Sequence, residues 1–93
     1  MKYKKYKENK ILPMMLKGYV FHVLGGELFF KINLKNHKLM ACDGANGDYA
    51  FWGDISFYML GMYTCGELCP MSIPEANKMI RELRKRIRGA NER

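Results

Sequence analysis

The sequence lacks a long apolar run. The longest, at residues 11–16, contains Pro13 and falls far short of the roughly 20 residues that a membrane-spanning helix needs. The ten residues before it are polar, and the apolar stretch after them is too short for a signal peptide. We therefore expect a cytoplasmic protein with no membrane partner.

Cysteine is scarce, and its number is odd. Cys42, Cys65 and Cys69 fit a reducing compartment better than a small disulfide scaffold. Cys65 and Cys69 have a spacing used in zinc sites, and Cys42 with His22 or His37 could complete a ligand set, but a strong zinc signature has two spaced pairs. We expect free thiols that act as small apolar side chains, no bound metal and no other cofactor.

No catalytic motif is present. The segment "DGANGD" resembles a calcium loop only loosely, because Ala45 stands at the third ligand position, and a turn is the simpler interpretation. Asp43 and Asp48 have no further feature that would make them a catalytic acid and base. No recognisable nucleophile motif surrounds any cysteine. The sequence therefore predicts a protein that is not an enzyme.

Positive charge is absent from residues 43–73 and concentrated at both ends. Residues 1–10 carry five Lys and one Glu, and residues 74–93 carry seven basic and three acidic groups, within a net charge of +7. At 93 residues the chain is predicted to be a basic arm at 1–10 and a single domain at 11–93. The uneven charge indicates an anionic partner.

The clearest structural pattern is "GYVFHVLGGELFFKINL". Two β-favouring runs flank Gly25-Gly26, which predicts a two-residue hairpin turn that pairs Phe21 with Phe30. Alternation then gives a core face of Tyr19, Phe21, Val23, Leu28, Phe30, Ile32 and Leu34. The other face is mixed and too apolar to be simply solvated: Val20, His22, Leu24, Glu27, Phe29, Lys31 and Asn33.

The middle of the chain is ambiguous. A turn at "KNHK" leads to a third strand at 39–42. Residues 49–63 fit either strands joined at Gly53-Asp54 or a helix capped by Asp54, and we favour a strand followed by a short helix. The predicted fold is α+β: an antiparallel meander of three to five strands with the C-terminal amphipathic helix packed on one face.

That helix has the strongest signals in the sequence. Ser72 and Glu75 form a capping-box pattern, Pro74 suits the first turn, and Gly89 is the predicted end. An apolar stripe with helical spacing should pack inward: Ile73, Ala76, Ile80, Leu83 and Ile87.

Two basic segments are the candidate binding sites for nucleic acid or another anionic partner. The helix carries a row on one flank, namely Lys78, Arg81, Arg84, Lys85 and Arg88. The N-terminal segment interleaves cations with rings that could stack on bases, namely Lys2, Tyr3, Lys4, Lys5 and Tyr6. The alternatives are a solvated helix face that complements the helix dipole, and tyrosines that dock on the core or begin an edge strand.

The function predicted from these features is binding without catalysis. The basic ends would contact nucleic acid, or an acidic or nucleic-acid-binding complex. The alternative is a small inhibitor or adaptor, of the kind that phages and mobile elements encode, which acts through its aromatic- and Met-rich middle. The sequence leaves open whether the chain forms a homodimer.

Overall fold

The computed structural model describes residues 2–43 and 52–91, with side chains as far as Arg86. Its helices and strands are α1 (Glu8–Leu16), β1 (Val20–Val23), β2 (Leu28–Ile32), β3 (Leu39–Asp43), β4 (Trp52–Asp54), α2 (Phe57–Tyr63), β5 (Leu68–Met71) and α3 (Ile73–Asn91). The five strands form one sheet in the order β4-β3-β2-β1-β5, and each neighbouring pair is antiparallel. The predicted α+β fold with a C-terminal helix on an antiparallel sheet is confirmed.

The β1–β2 hairpin has the predicted register, with Phe21 opposite Phe30. Its turn lies one residue earlier than predicted. The Gly26 N–H donates to the Val23 carbonyl at 3.4 Å, and Gly25 has φ of +83° while Gly26 does not have a positive φ. A four-residue loop therefore replaces the two-residue turn, and it needs only one glycine in the left-handed region.

One face of the sheet packs against α1 and α2. Four residues of the predicted core face are buried there with Ile11 and Met15 of α1: Phe21, Leu28, Phe30 and Ile32. Leu60 and Tyr63 of α2 pack against this cluster. Tyr19 and Leu34 were predicted to be buried but lie beyond the strand ends and are exposed.

The opposite face packs against α3. Val20, Phe29, Cys42, Cys69 and Met71 of the sheet are buried with Ala76, Ile80 and Leu83 of the helix. The mixed face of the hairpin is therefore the one that α3 covers. Because both faces carry helices, the sheet separates two cores and gives each helix layer its own outer surface.

The ambiguous middle forms a strand followed by a short helix, as favoured. Gly53 and Asp54 lie in β4, so they do not form a turn. The cap of α2 is Ser56 and not Asp54, because the Ser56 hydroxyl accepts a hydrogen bond from the Met59 N–H at 3.3 Å. Residues 49–51 and most of "DGANGD" lie outside the described part of the chain.

The N-terminal segment is attached to the outer edge of β5. Lys4 and Leu68 exchange two backbone hydrogen bonds, of 3.1 and 2.8 Å. The helix α1 begins at Glu8, so the predicted boundary at residue 10 falls inside a helix. The segment is therefore partly built into the fold.

The start of α3 agrees with the prediction, and its end does not. The Ser72 hydroxyl accepts from the Glu75 N–H at 3.3 Å. Ile73, at the start of the apolar stripe, is exposed. The helix continues through Gly89 to Asn91, because a glycine can adopt helical dihedrals as readily as the left-handed ones that would end a helix.

Candidate nucleic-acid interface

The basic row of α3 lies on the outer side of the helix. Lys78, Arg81 and Lys85 are exposed, and Arg84 is half-buried. Arg88 is part of the helix, but its side chain lies outside the described residues. The spacing of three and four residues that buries Ala76, Ile80 and Leu83 turns these cations away from the core.

Contacts at the two flanks of α3 show which way the row faces. On one flank, the Arg86 guanidinium lies 3.3 Å from the Glu27 carboxylate, in the loop between β1 and β2. On the other flank, the charge of Arg84 acts on the Cys42 thiol of β3. Burial raises the pKa of the Cys42 thiol, and the positive charges of Arg84 and Lys31 oppose that rise. The basic row therefore continues on the β3–β4 side of the helix.

The sheet beside this flank carries an aromatic ring and another cation. A cross-strand row on the α3 side joins Cys69, His22, Phe29, Cys42 and Trp52, in that order. Trp52 ends this row on the edge strand and is half-buried.

Lys31 extends over this ring from β2. Its ammonium nitrogen lies 4.2 Å from the centroid of the Trp52 ring, which is cation–π distance. Burial lowers the pKa of Lys31, with a smaller opposing effect from Cys42. We call the surface formed by Lys78, Arg81, Arg84, Lys85, Lys31 and Trp52 the basic face.

Three cations of the basic face keep their charge available for a partner. Lys38 forms an ion pair with Asp54, at 3.6 Å, and Arg86 forms one with Glu27. Neither pair uses Lys78, Arg81 or Lys85. An approaching anion would therefore not have to displace a carboxylate from these three side chains.

The two N-terminal tyrosines are used for packing. The Tyr3 hydroxyl lies 2.5 Å from Nδ1 of His22 and donates to it when the imidazole is neutral. Tyr6 packs edge-on against Phe21 with the ring centroids 5.5 Å apart, and the Lys4 ammonium lies 4.9 Å from the Tyr6 ring. The geometry favours the docking alternative over base stacking for both rings.

The N-terminal cations and the basic face are not brought together. Lys2, Lys4 and Lys5 are exposed beside β5. Tyr3 packs in the same cluster as Met79, on the Arg86 flank of α3, whereas Arg84 lies on the opposite flank. Among the described side chains, the two basic segments therefore present separate surfaces.

His22 lies at the centre of a small, internally satisfied polar network. Burial lowers its pKa, while a hydrogen bond to the Gly26 backbone and the charge of Glu27 partly oppose this. Burial, and to a lesser extent Cys69, raises the pKa of Tyr3. The hydrogen bond between Tyr3 and His22 therefore holds the N-terminal segment against β1.

The thiols lie in different environments. Cys42 and Cys69 are buried under α3, whereas Cys65 is exposed after α2 and donates to the Gly61 carbonyl at 3.2 Å. Among the residues that the structure describes, no group of three His, Cys, Asp or Glu side chains could hold a metal. Likewise, none of the described helices is both long enough and apolar enough to cross a membrane.

Lys31 and Trp52 were not identified from the sequence as binding residues. A lysine within an otherwise apolar strand and the single tryptophan were the available signals. Their proximity depends on the pairing of three strands, which a pattern along one strand does not contain. Comparisons with family models, curated proteins and solved structures give no match for this chain.

Proposed function

We propose that this protein is a non-enzymatic nucleic-acid-binding protein that contacts its ligand through the basic face. The observation that carries the proposal is the one-sided row of cations on α3, which continues through Arg84 to Lys31 and Trp52 on the sheet. We also propose that the protein is located in the cytoplasm, where the exposed thiol of Cys65 would stay reduced.

The dimensions of the row suit a phosphate backbone. From Lys78 to Lys85 the helix rises about 10.5 Å. One strand of duplex DNA places a phosphate about every 3.4 Å along its axis, so the row spans roughly three phosphates. Trp52 offers an aromatic surface beside these cations, and such rings stack on unpaired bases.

The competing interpretation is that the row is an ordinary solvated face. Exposed helix charges contribute only tenths of a kcal/mol to stability, so a solvated face and a binding face would fold equally well. The two interpretations differ in the response of ligand binding to salt, because only phosphate contacts release counterions.

The test is a triple variant, Lys78→Gln/Arg81→Gln/Lys85→Gln, in fluorescence anisotropy with labelled single-stranded and duplex RNA and DNA. At about 50 mM salt each lost phosphate contact should weaken binding about tenfold, so losing three approaches a thousandfold. The slope of log K against log salt should flatten by about 0.7 for each contact to a single strand. The melting temperature should change little.

The matched control removes three charges from the other side of the sheet. Lys7, Lys10 and Lys17 are exposed around α1, and changing all three to Gln lowers the net charge equally. We expect this control to keep most of the affinity. Equal losses in both variants would mean that only net charge matters, and no binding by the parent protein at low salt would reject the proposal.

A second candidate function is an inhibitor or adaptor that binds another protein through apolar contacts. The observation in its favour is that Phe57, Tyr58 and Met62 of α2 are largely exposed. Binding through this surface would be nearly independent of salt, and the triple variant of α3 would leave it unchanged.

A further inference from the structure

The outer side of α2 is an uncovered apolar surface. Phe57, Tyr58 and Met62 are 73%, 78% and 56% exposed, although they belong to the large side chains that proteins usually bury. Leu12 and Leu16 of α1 are exposed on the same side of the sheet. A groove between the two helices is lined by Glu8, Ile11 and Leu12 of α1 and by Phe57, Leu60, Gly61 and Thr64 in and just after α2.

Gly61 lines this groove, at a position where the fold gives no reason for a glycine. Its backbone is in ordinary helical conformation, and a Cβ added there would meet nothing within 4 Å. Glycine inside a helix is less favourable than alanine. The missing side chain leaves a hollow beside the groove, between Phe57 and Cys65 one turn away on either side.

The α2 part of this surface carries no charged side chain, whereas α1 contributes Glu8 to the lining of the groove. Residues 55–66 contain no Asp, Glu, Lys or Arg, in a chain where 27% of residues are charged. A strongly acidic or basic partner would find no ion-pair partner in this segment. An equally neutral surface would fit it, and the same face of another molecule of this chain is such a surface.

We propose that two copies of this chain form a two-fold symmetric dimer through this face. Tyr58 of each copy enters the groove between α1 and α2 of the other, and the hollow at Gly61 lets the two α2 helices approach closely. Each copy offers both a protruding ring and a groove, which is what a two-fold interface requires. The proposal does not depend on nucleic-acid binding.

The available area sets the strength of the contact. With about 200 Å² for an aromatic residue, the exposed parts of Phe57 and Tyr58 supply roughly 300 Å². Met62, Leu12 and Leu16 add roughly 250 Å² at a similar area per residue. The two copies together would bury about 1,100 Å², just below the range of stable complexes, so we expect a weak dimer with a Kd of about 1–100 μM.

Sedimentation equilibrium of the full chain at about 0.5–500 μM tests this, because the range brackets that Kd. The parent protein should show a monomer–dimer equilibrium. Tyr58→Ser should weaken the dimer at least about tenfold, as expected for a central aromatic residue. Tyr19→Ser is the control, since it makes the same change at an exposed tyrosine that does not line the groove, and it should leave the Kd unchanged.

A second variant separates a specific interface from general stickiness. Gly61→Leu adds apolar surface at an open position and favours the helix, so the monomer should fold at least as well. A close contact at Gly61 predicts that the leucine abolishes the dimer. Stronger association of Gly61→Leu, a purely monomeric parent protein, or equal effects of Tyr58→Ser and Tyr19→Ser would each overturn the proposal.

Discussion

Replacing Phe30 with alanine tests the core at its most enclosed point. The side chain is fully buried, stacks on Phe21 with ring centroids 5.5 Å apart, and has the Tyr63 ring at 6.3 Å. A Phe→Ala change in a core costs about 3–5 kcal/mol. The neighbouring rings are held by separate elements and cannot close the cavity easily, so we expect about 4 kcal/mol.

That loss is large for a chain of this size. At about 0.05–0.15 kcal/mol per residue, the whole domain has roughly 5–14 kcal/mol of stability. Because each kcal/mol shifts the melting temperature of a domain of this size by about 4–8 °C, a loss of about 4 kcal/mol should lower it by about 15–30 °C. Urea unfolding followed by circular dichroism measures the change directly, provided that the slope m stays constant between variants.

Two further phenylalanines serve as controls for the same substitution. Phe57 is largely exposed, so Phe57→Ala should cost less than about 1 kcal/mol in the monomer. Phe29 is the neighbour of Phe30, points to the α3 side and is also buried, so Phe29→Ala should again cost about 3–5 kcal/mol. If only one face of the sheet were covered, either Phe29→Ala or Phe30→Ala would cost little stability. That result would refute a core on both faces.

Two other predictions concern the hairpin. Gly25→Ala should cost about 1 kcal/mol because φ at this position is +83°, whereas Gly26→Ala should be nearly neutral, and urea unfolding compares the two. Because burial lowers the pKa of His22, the unfolded chain binds the proton first as pH falls below about 6.5. The free energy of unfolding should therefore decrease as the pH falls below about 6.5, and His22→Gln should remove this decrease.

The elements that the sequence predicted well are those with a strong local signal. The β1–β2 register follows from alternating apolar residues on either side of a glycine pair, and the start of α3 follows from Ser72 and Glu75. In both cases the information lies within a few residues of the element, so no knowledge of the partner strands or helices is needed.

Elements that depend on tertiary contacts were missed. Residues 11–16 contain Pro13, which is unfavourable inside a helix, yet α1 continues through it because Ile11 and Met15 are buried against the sheet. Pro70 similarly argues against a strand at β5. Proline is tolerated there because β5 is an edge strand of the sheet. Both elements are held by packing that outweighs their own weak propensities.

The candidate site was predictable only in its helical part. The row on α3 follows from helical periodicity, since residues three and four apart share a face. The addition of Lys31 and Trp52 requires the pairing of β2 with β3 and of β3 with β4. The docking of Tyr3 and Tyr6 depends on the bridge between Lys4 and Leu68, which joins residues far apart in the sequence.

A net charge of +7 would at first oppose the association of two copies. The fold reduces this repulsion by placing the cationic row and the apolar surface on opposite sides of the sheet. Packed layers lie about 10 Å apart, so α3 is roughly 20 Å from α2, and roughly 50 Å would separate the two rows in the proposed dimer. Because the Debye length is about 8 Å at physiological salt, the rows would hardly repel each other. Each would face outward, and two nucleic-acid segments could then be bound independently.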